Sequence, residues 1–182
     1  MHVQIVYLCK FMHTICTCNS WKFHLKKYFT AVTIFPTHVQ GISGTGSLRI
    51  GSSFLGAFSG GKPVFFPRPT WGNHNPIFTH AGNKIDNYTY YDPTTCGFNA
   101  EGCFNDLKNN IPDGAVVMFH ACAHNPTGVD PSAEQWKELS NICKQKGFTV
   151  YFDMAYQVCH FNISIFDQFY KKNNLNGKKS PN

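Results

Sequence analysis

Four short stretches of this chain gather residue types that can do chemistry. The first is Gly41-Ile42-Ser43-Gly44-Thr45-Gly46, which leads into a run with helical spacing. Backbone N–H groups at Ser43, Gly44 and Thr45, two hydroxyls and the positive end of a helix dipole suit a phosphate. An ordinary turn is the alternative. The stretch is not a Walker A loop, because no Lys-Ser/Thr follows the glycines, and its third glycine is out of register for a dinucleotide fingerprint.

The second stretch is Pro69-Thr70-Trp71-Gly72-Asn73-His74-Asn75-Pro76. Trp71 can stack on a planar ring with His74 as a nearby titratable group, or it can simply fill a core. The third is His120-Ala121-Cys122-Ala123-His124-Asn125-Pro126-Thr127-Gly128. Asn125 before a proline is biased to a turn, and its amide can hold a phenolate or a carboxylate. The two histidines stand four apart where no helix brings them onto one face, so a metal is not expected. In the fourth, Asp153 directly follows the apolar run Phe148-Thr149-Val150-Tyr151-Phe152. A carboxylate there needs a cationic or N–H partner, unless it only caps a turn.

The elements that must position these residues read as alternating strands and helices. Leu48, Ile50, Gly51, Phe54, Leu55 and Phe58 can share one side of a helix after the glycine turn. Strands are expected at Pro63–Pro67, Asn87–Tyr91, Ala115–Phe119 and Phe148–Phe152. Between the last two, Asp130 offers an N-cap and Pro131 a first helical residue. Trp136, Leu139, Ile142 and Cys143 keep the period, and Gly147 ends the helix. This order implies an α/β fold, a mostly parallel sheet with covering helices, and chemistry at the carboxyl ends of the strands.

Composition narrows the remaining classes. The formal charge is +6 over 182 residues. It is uneven: no acid precedes Asp86, and the basic residues are scattered, so nucleic acid is not an expected partner. The uncharged run from Tyr28 to Leu48 contains Pro36, His38, Gln40 and three glycines, so no membrane span is expected. The 8 cysteines follow no disulfide framework and read as mostly reduced, buried thiols of an intracellular protein. Residues 1–38 show no sustained period and are expected to be disordered. Residues 39–157 are orderly, and residues 158–182 read as an atypical polar tail.

Taken together and in order, Ser43-Gly44-Thr45-Gly46, Pro69-Thr70-Trp71-Gly72-Asn73-His74, His124-Asn125-Pro126-Thr127-Gly128 and Asp153-Met154-Ala155-Tyr156-Gln157 resemble the aspartate aminotransferases. The spelling is most like the animal mitochondrial form. The resemblance implies part of the large domain of a fold-type-I enzyme, with pyridoxal 5′-phosphate as cofactor. Its substrates would be aspartate, glutamate and their 2-oxo acids, its assembly a homodimer and its location the mitochondrial matrix, although residues 1–38 hold no convincing transit peptide. Ser43, Gly44 and Thr45 would bind the cofactor phosphate, Trp71 would stack on the ring, and Asp153 would pair with the ring nitrogen. Asn125 and Tyr156 would bond the ring's 3′-oxygen, and Trp71 and Asn125 would seat a substrate carboxylate. His74 and His120 would stand behind Asp153. The resemblance also implies cis peptides before Pro69 and Pro126.

The resemblance fails at the covalent step. The family's Schiff-base lysine lies in a Ser-x-x-Lys sequence some tens of residues past Asp-x-Ala-Tyr, and no lysine after Asp153 stands in such a sequence. Lys171 and Lys172 fall in the polar tail. No catalytic residue is therefore assigned, and the chain reads as an incomplete large domain, inactive alone. A non-catalytic module that binds pyridoxal phosphate or pairs with another subunit is the alternative.

Overall fold

The computed structural model describes the backbone of Ile5–Cys9 and residues 41–155 with their side chains. In chain order the elements are β1 (Ile5–Cys9), α1 (Ser43–Phe58), β2 (Val64–Arg68), α2 (His74–His80) and β3 (Ile85–Thr89). A small ribbon of β4 (Tyr91–Asp92) and β5 (Gly97–Phe98) follows, then α3 (Ala100–Asn105), which runs into a π-turn at Asp106–Asn110. The chain continues with β6 (Val116–His120), α4 (Ala133–Lys146) and β7 (Thr149–Met154).

Five strands make one sheet in the order β1-β7-β6-β2-β3, and every neighbouring pair is parallel. Parallel strands need covered faces, and their sequences show it. Val64, Phe66, Val116, Met118 and Tyr151 pack on one side with Leu48 and Leu55 of α1 and Ile77 and Phe78 of α2. Their alternates Phe65, Val117, Phe119, Val150 and Phe152 pack on the other with Cys103, Leu107 and the α4 residues Trp136, Leu139, Ile142 and Cys143. The α/β expectation therefore stands, with a core on each face.

Several local expectations change. Ile5–Cys9 pairs along β7, Leu8 opposite Asp153, so five residues of the stretch expected to be disordered join the sheet. A five-residue stretch is too short to declare a strand by periodicity; its partner decides. The rest of 1–38 and the 158–182 tail lie outside the described residues. Asp130 is not the cap of α4. Ser132 is: its hydroxyl accepts from Gln135 N while the Gln135 side chain accepts from Ser132 N, a capping box that satisfies two orphan donors. Asp130 instead accepts from the backbone N–H groups of Ala123 and His124, at 2.7 and 3.0 Å. The helix stops as expected at Gly147, in the left-handed region at φ 64°.

Helix α1 also orients differently. It buries Leu48, Gly51, Ser52 and Leu55, while Ile50, Phe54 and Phe58 form an outward row. Residues four apart stay on one ridge, and this ridge lies across the helix from Leu48 and Leu55. The third strand ends at Thr89, two residues before the expected limit, because Tyr91 turns off to pair with Phe98. Cys103, Cys122 and Cys143 are buried, whereas Cys96 is exposed.

Candidate functional site

The alternation just described places chemistry at one corner. His120 ends β6 and pairs in register with Asp153 on β7. Both have the parity of Met118 and Tyr151, so both point to the side covered by α1 and α2. The Ala121 N–H continues the ladder to the Asp153 carbonyl at 2.8 Å, which holds the two strand ends side by side. The first turn of α2 supplies His74 from above, fully buried and stacked on Phe66.

Four side chains then meet. His74 Nε2 lies 3.0 Å from Asp153 Oδ2, and His74 Nδ1 lies 2.7 Å from Thr70 Oγ1. Thr70 Oγ1 is also 3.1 Å from His120 Nε2, whose other ring nitrogen accepts the Asn125 backbone N–H at 3.3 Å. The His74 and His120 rings cross at 5.2 Å, and His120 sits 4.3 Å from His124. A turn, where no helix was available, thus brings two histidines four residues apart into contact. Burial pushes the His120 pKa well below the ordinary histidine value, with His124 and His74 adding to it. Burial also lowers His124 to about 4, against the opposing pull of Asp130.

Around this cluster a small cavity of about 30 Å³ is lined by Gly44, Leu48, Trp71, His120, Asn125, Asp153 and Ala155. Gly44, Trp71, Asn125 and Asp153, four residues singled out from the sequence, therefore converge. Ser43 and Thr45 flank Gly44 on the exposed first turn of α1. The N-cap, Ile42, makes no side-chain cap bond, and the first turn contains no acid. Its leading N–H groups therefore lack an intrahelical acceptor and face an anion's natural place. Trp71 crosses His74 edge-to-face at 5.4 Å. Both Arg68-Pro69 and Asn125-Pro126 are cis. Tyr156, Lys171 and Lys172 lie outside the described residues.

The profile of the aminotransferase class I and II family matches residues 13–176. The chain belongs to that family. The match begins well before residue 39, where the resemblance read from motifs set in. The chain is 56% identical over 119 residues to a mitochondrial aspartate aminotransferase of Dictyostelium discoideum, covering 65% of this chain and 28% of that protein. A solved mitochondrial aspartate aminotransferase from Trypanosoma brucei superposes with a TM-score of 0.64 at 38% identity, over 71% of this chain and 34% of that one. An aromatic-amino-acid aminotransferase from Burkholderia pseudomallei, covalently bound to pyridoxal phosphate, superposes with a TM-score of 0.62 at 38% identity, over 64% of this chain and 29% of the other. The chain thus spans about a third of the length of the relatives it matches.

The sequence gives Thr70 no role of its own and offers Asp130 only as a helix cap. Thr70 lay inside a quoted motif, yet nothing in its spacing told that it bridges two histidines. Asp130 was read as a cap because Asp-Pro is a common helix start. In the fold it ties down the turn that carries His124 and Asn125.

Proposed function

We propose that this chain is the cofactor-cradling part of an aspartate:2-oxoglutarate aminotransferase of the mitochondrial type. The observation that carries the reading is the buried Asp153–His74 pair, whose Asp153 borders the same cavity as Gly44 of the α1 N-terminus. The donor set fits pyridoxal phosphate: N–H groups and hydroxyls at the α1 N-terminus for a phosphate, a carboxylate for a ring nitrogen, and an indole and an amide beside them.

When bound, that cofactor supplies an electron sink for the bond broken at the substrate's Cα. Ser43, Gly44 and Thr45 would hold its phosphate. Asp153 would hold a proton at the ring nitrogen, since a buried carboxylate stabilises a cation beside it. His74 keeps that carboxylate oriented. Trp71 would cover the ring and exclude water, while Asn125 and Tyr156 would bond the 3′-oxygen. Trp71 and Asn125 would also seat a carboxylate of aspartate, glutamate or a 2-oxo acid. A mitochondrial place accompanies this reading, supported by the relatives' names, and pairing with a second subunit and the matrix location follow from the family resemblance alone.

The 182-residue chain alone is proposed to bind the cofactor reversibly and not to turn over, because no residue in it is assigned as covalent anchor and proton shuttle. The test is a titration with pyridoxal phosphate followed by absorbance and tryptophan quenching, in parallel with an aspartate plus 2-oxoglutarate assay. Saturable binding that weakens in Asp153→Ala supports the cradle. No binding at millimolar cofactor would sink it. Steady transamination lost in Lys171→Ala or Lys172→Ala would overturn the inactive reading.

A further inference from the structure

The two sides of the sheet are finished differently. The β3 edge exposes Asp86 and Asn87, a charge and an amide that discourage a further strand. Without β1 the opposite edge would be β7, Thr149-Val150-Tyr151-Phe152-Asp153-Met154, which has no lysine, proline or glycine to blunt it. Its one charge, Asp153, is buried beside His74, and Val150, Tyr151 and Phe152 are wholly buried. β6 pairs with β7 on one side, from Thr149 to Asp153. The alternate backbone N–H and C=O groups on the other side need partners of their own. Ile5–Cys9 meets that need, from Ile5 opposite Val150 to Cys9 opposite Met154. Ile5-Val6-Tyr7-Leu8-Cys9 is uncharged throughout and led by β-branched and aromatic residues, which suit a strand. The backbone of α1 passes within 8 Å of it.

Two facts mark this strand as an addition. It lies outside residues 13–176, the stretch that the family profile matches. It also comes from far along the chain: residues 10–40 separate it from the Gly41 turn, and its partner β7 is the last strand of the order. We infer that the outer edge of β7 is a strand-acceptor site and that β1 is its removable occupant. The ligand class is an extended, uncharged peptide of five residues that joins the ladder in parallel, main chain to main chain. The chain supplies that peptide in cis, from its own Ile5–Cys9. The site adjoins the proposed cradle, because Leu8 stands opposite Asp153, and Ala155, next after Met154, borders the cavity. The inference does not rest on the cofactor reading.

The experiment is hydrogen exchange, followed by mass spectrometry, on the whole chain without cofactor, as wild type and as the double variant Val6→Pro/Tyr7→Pro. Alternate residues of a parallel strand bond to a given neighbour, so adjacent prolines remove a donor toward β7 whichever parity faces it. Amides of residues 149–154 should exchange about tenfold faster in the variant, while those of α4 stay as in wild type. A free peptide of residues 3–10, added at about 1 mM, the effective concentration a tether typically gives, should restore that protection saturably. A scrambled peptide should not. Unchanged exchange at 149–154 in the variant would overturn the inference, because β1 would not be what holds this edge. Loss of protection in α4 as well would make β1 integral to the fold and not removable, which also overturns it. So would a variant that the peptide fails to restore. Wild-type protection that rises with protein concentration would seat a second copy's strand on the edge and overturn the assignment in cis. No cofactor enters these readings, so a failed strand site and failed pyridoxal phosphate binding are separate results.

Discussion

His74 Nε2 lies 3.0 Å from Asp153 Oδ2 although 79 residues separate them, and the imidazole is fully buried. A buried carboxylate without a partner is costly, so this contact makes Asp153 tolerable inside the fold. It also fixes the direction in which the carboxylate can serve a ligand. The first consequence concerns binding. Asp153→Asn should weaken pyridoxal phosphate by roughly 10- to 100-fold, the worth of one charge-assisted hydrogen bond. Equilibrium titration of both proteins checks it, and an unchanged affinity would remove Asp153 from the cradle.

The rival caps of α4 can be told apart by stability. Ser132→Ala should cost about 1 kcal/mol through loss of the capping box. Asp130→Ala should cost roughly 1–3 kcal/mol for a different reason, two freed N–H groups at Ala123 and His124. Urea unfolding measures both. The two losses should add, because the mutations act on separate turns, and only Asp130→Ala should perturb the His124 resonances.

Leu139 is wholly buried between α4 and the sheet. Leu139→Ala should cost about 2–5 kcal/mol, from lost burial plus the cavity left behind. Ile50→Ala, on the outward row of α1, should cost far less. Similar losses at both positions in thermal or urea unfolding would contradict the orientation of α1.

Stability should also fall as the solution is acidified from about pH 6.5 toward 4. His124 has a folded pKa of about 4 against an ordinary value of 6.5, so across that window the unfolded chain binds more protons. His120 is displaced in the same direction. Stability is then fully present above the unfolded value and is lost as pH falls. Asp92 and Asp106 are held below their ordinary 3.8 by hydrogen bonds to Thr95 and Thr89, and so contribute chiefly at lower pH. The urea midpoint measured from pH 7 to 4.5 should decline, and His124→Gln should flatten that decline.

Much of this was legible in the chain itself. Apolar runs at Val64–Phe66, Val116–Phe119 and Val150–Phe152 announce strands buried on both faces, because a parallel sheet leaves neither face to water. Trp136, Leu139, Ile142 and Cys143 announce a helix, and Gly147 its end, since both signals are local. Four motifs in a fixed order were enough to name the resemblance and its residues. The side of α1 that faces the sheet, the cap of α4 and the place of Ile5–Cys9 were not legible, because each depends on what lies opposite. The place of Thr70 between His74 and His120 was the least accessible of all. Strand order β7-β6-β2 sets Asp153, His120 and the end of β2 side by side, and only that adjacency turns a threonine inside a motif into a bridge between two histidines. Local sequence determines which way a residue points along its own strand; the partner it meets is decided by pairing between segments distant in the chain.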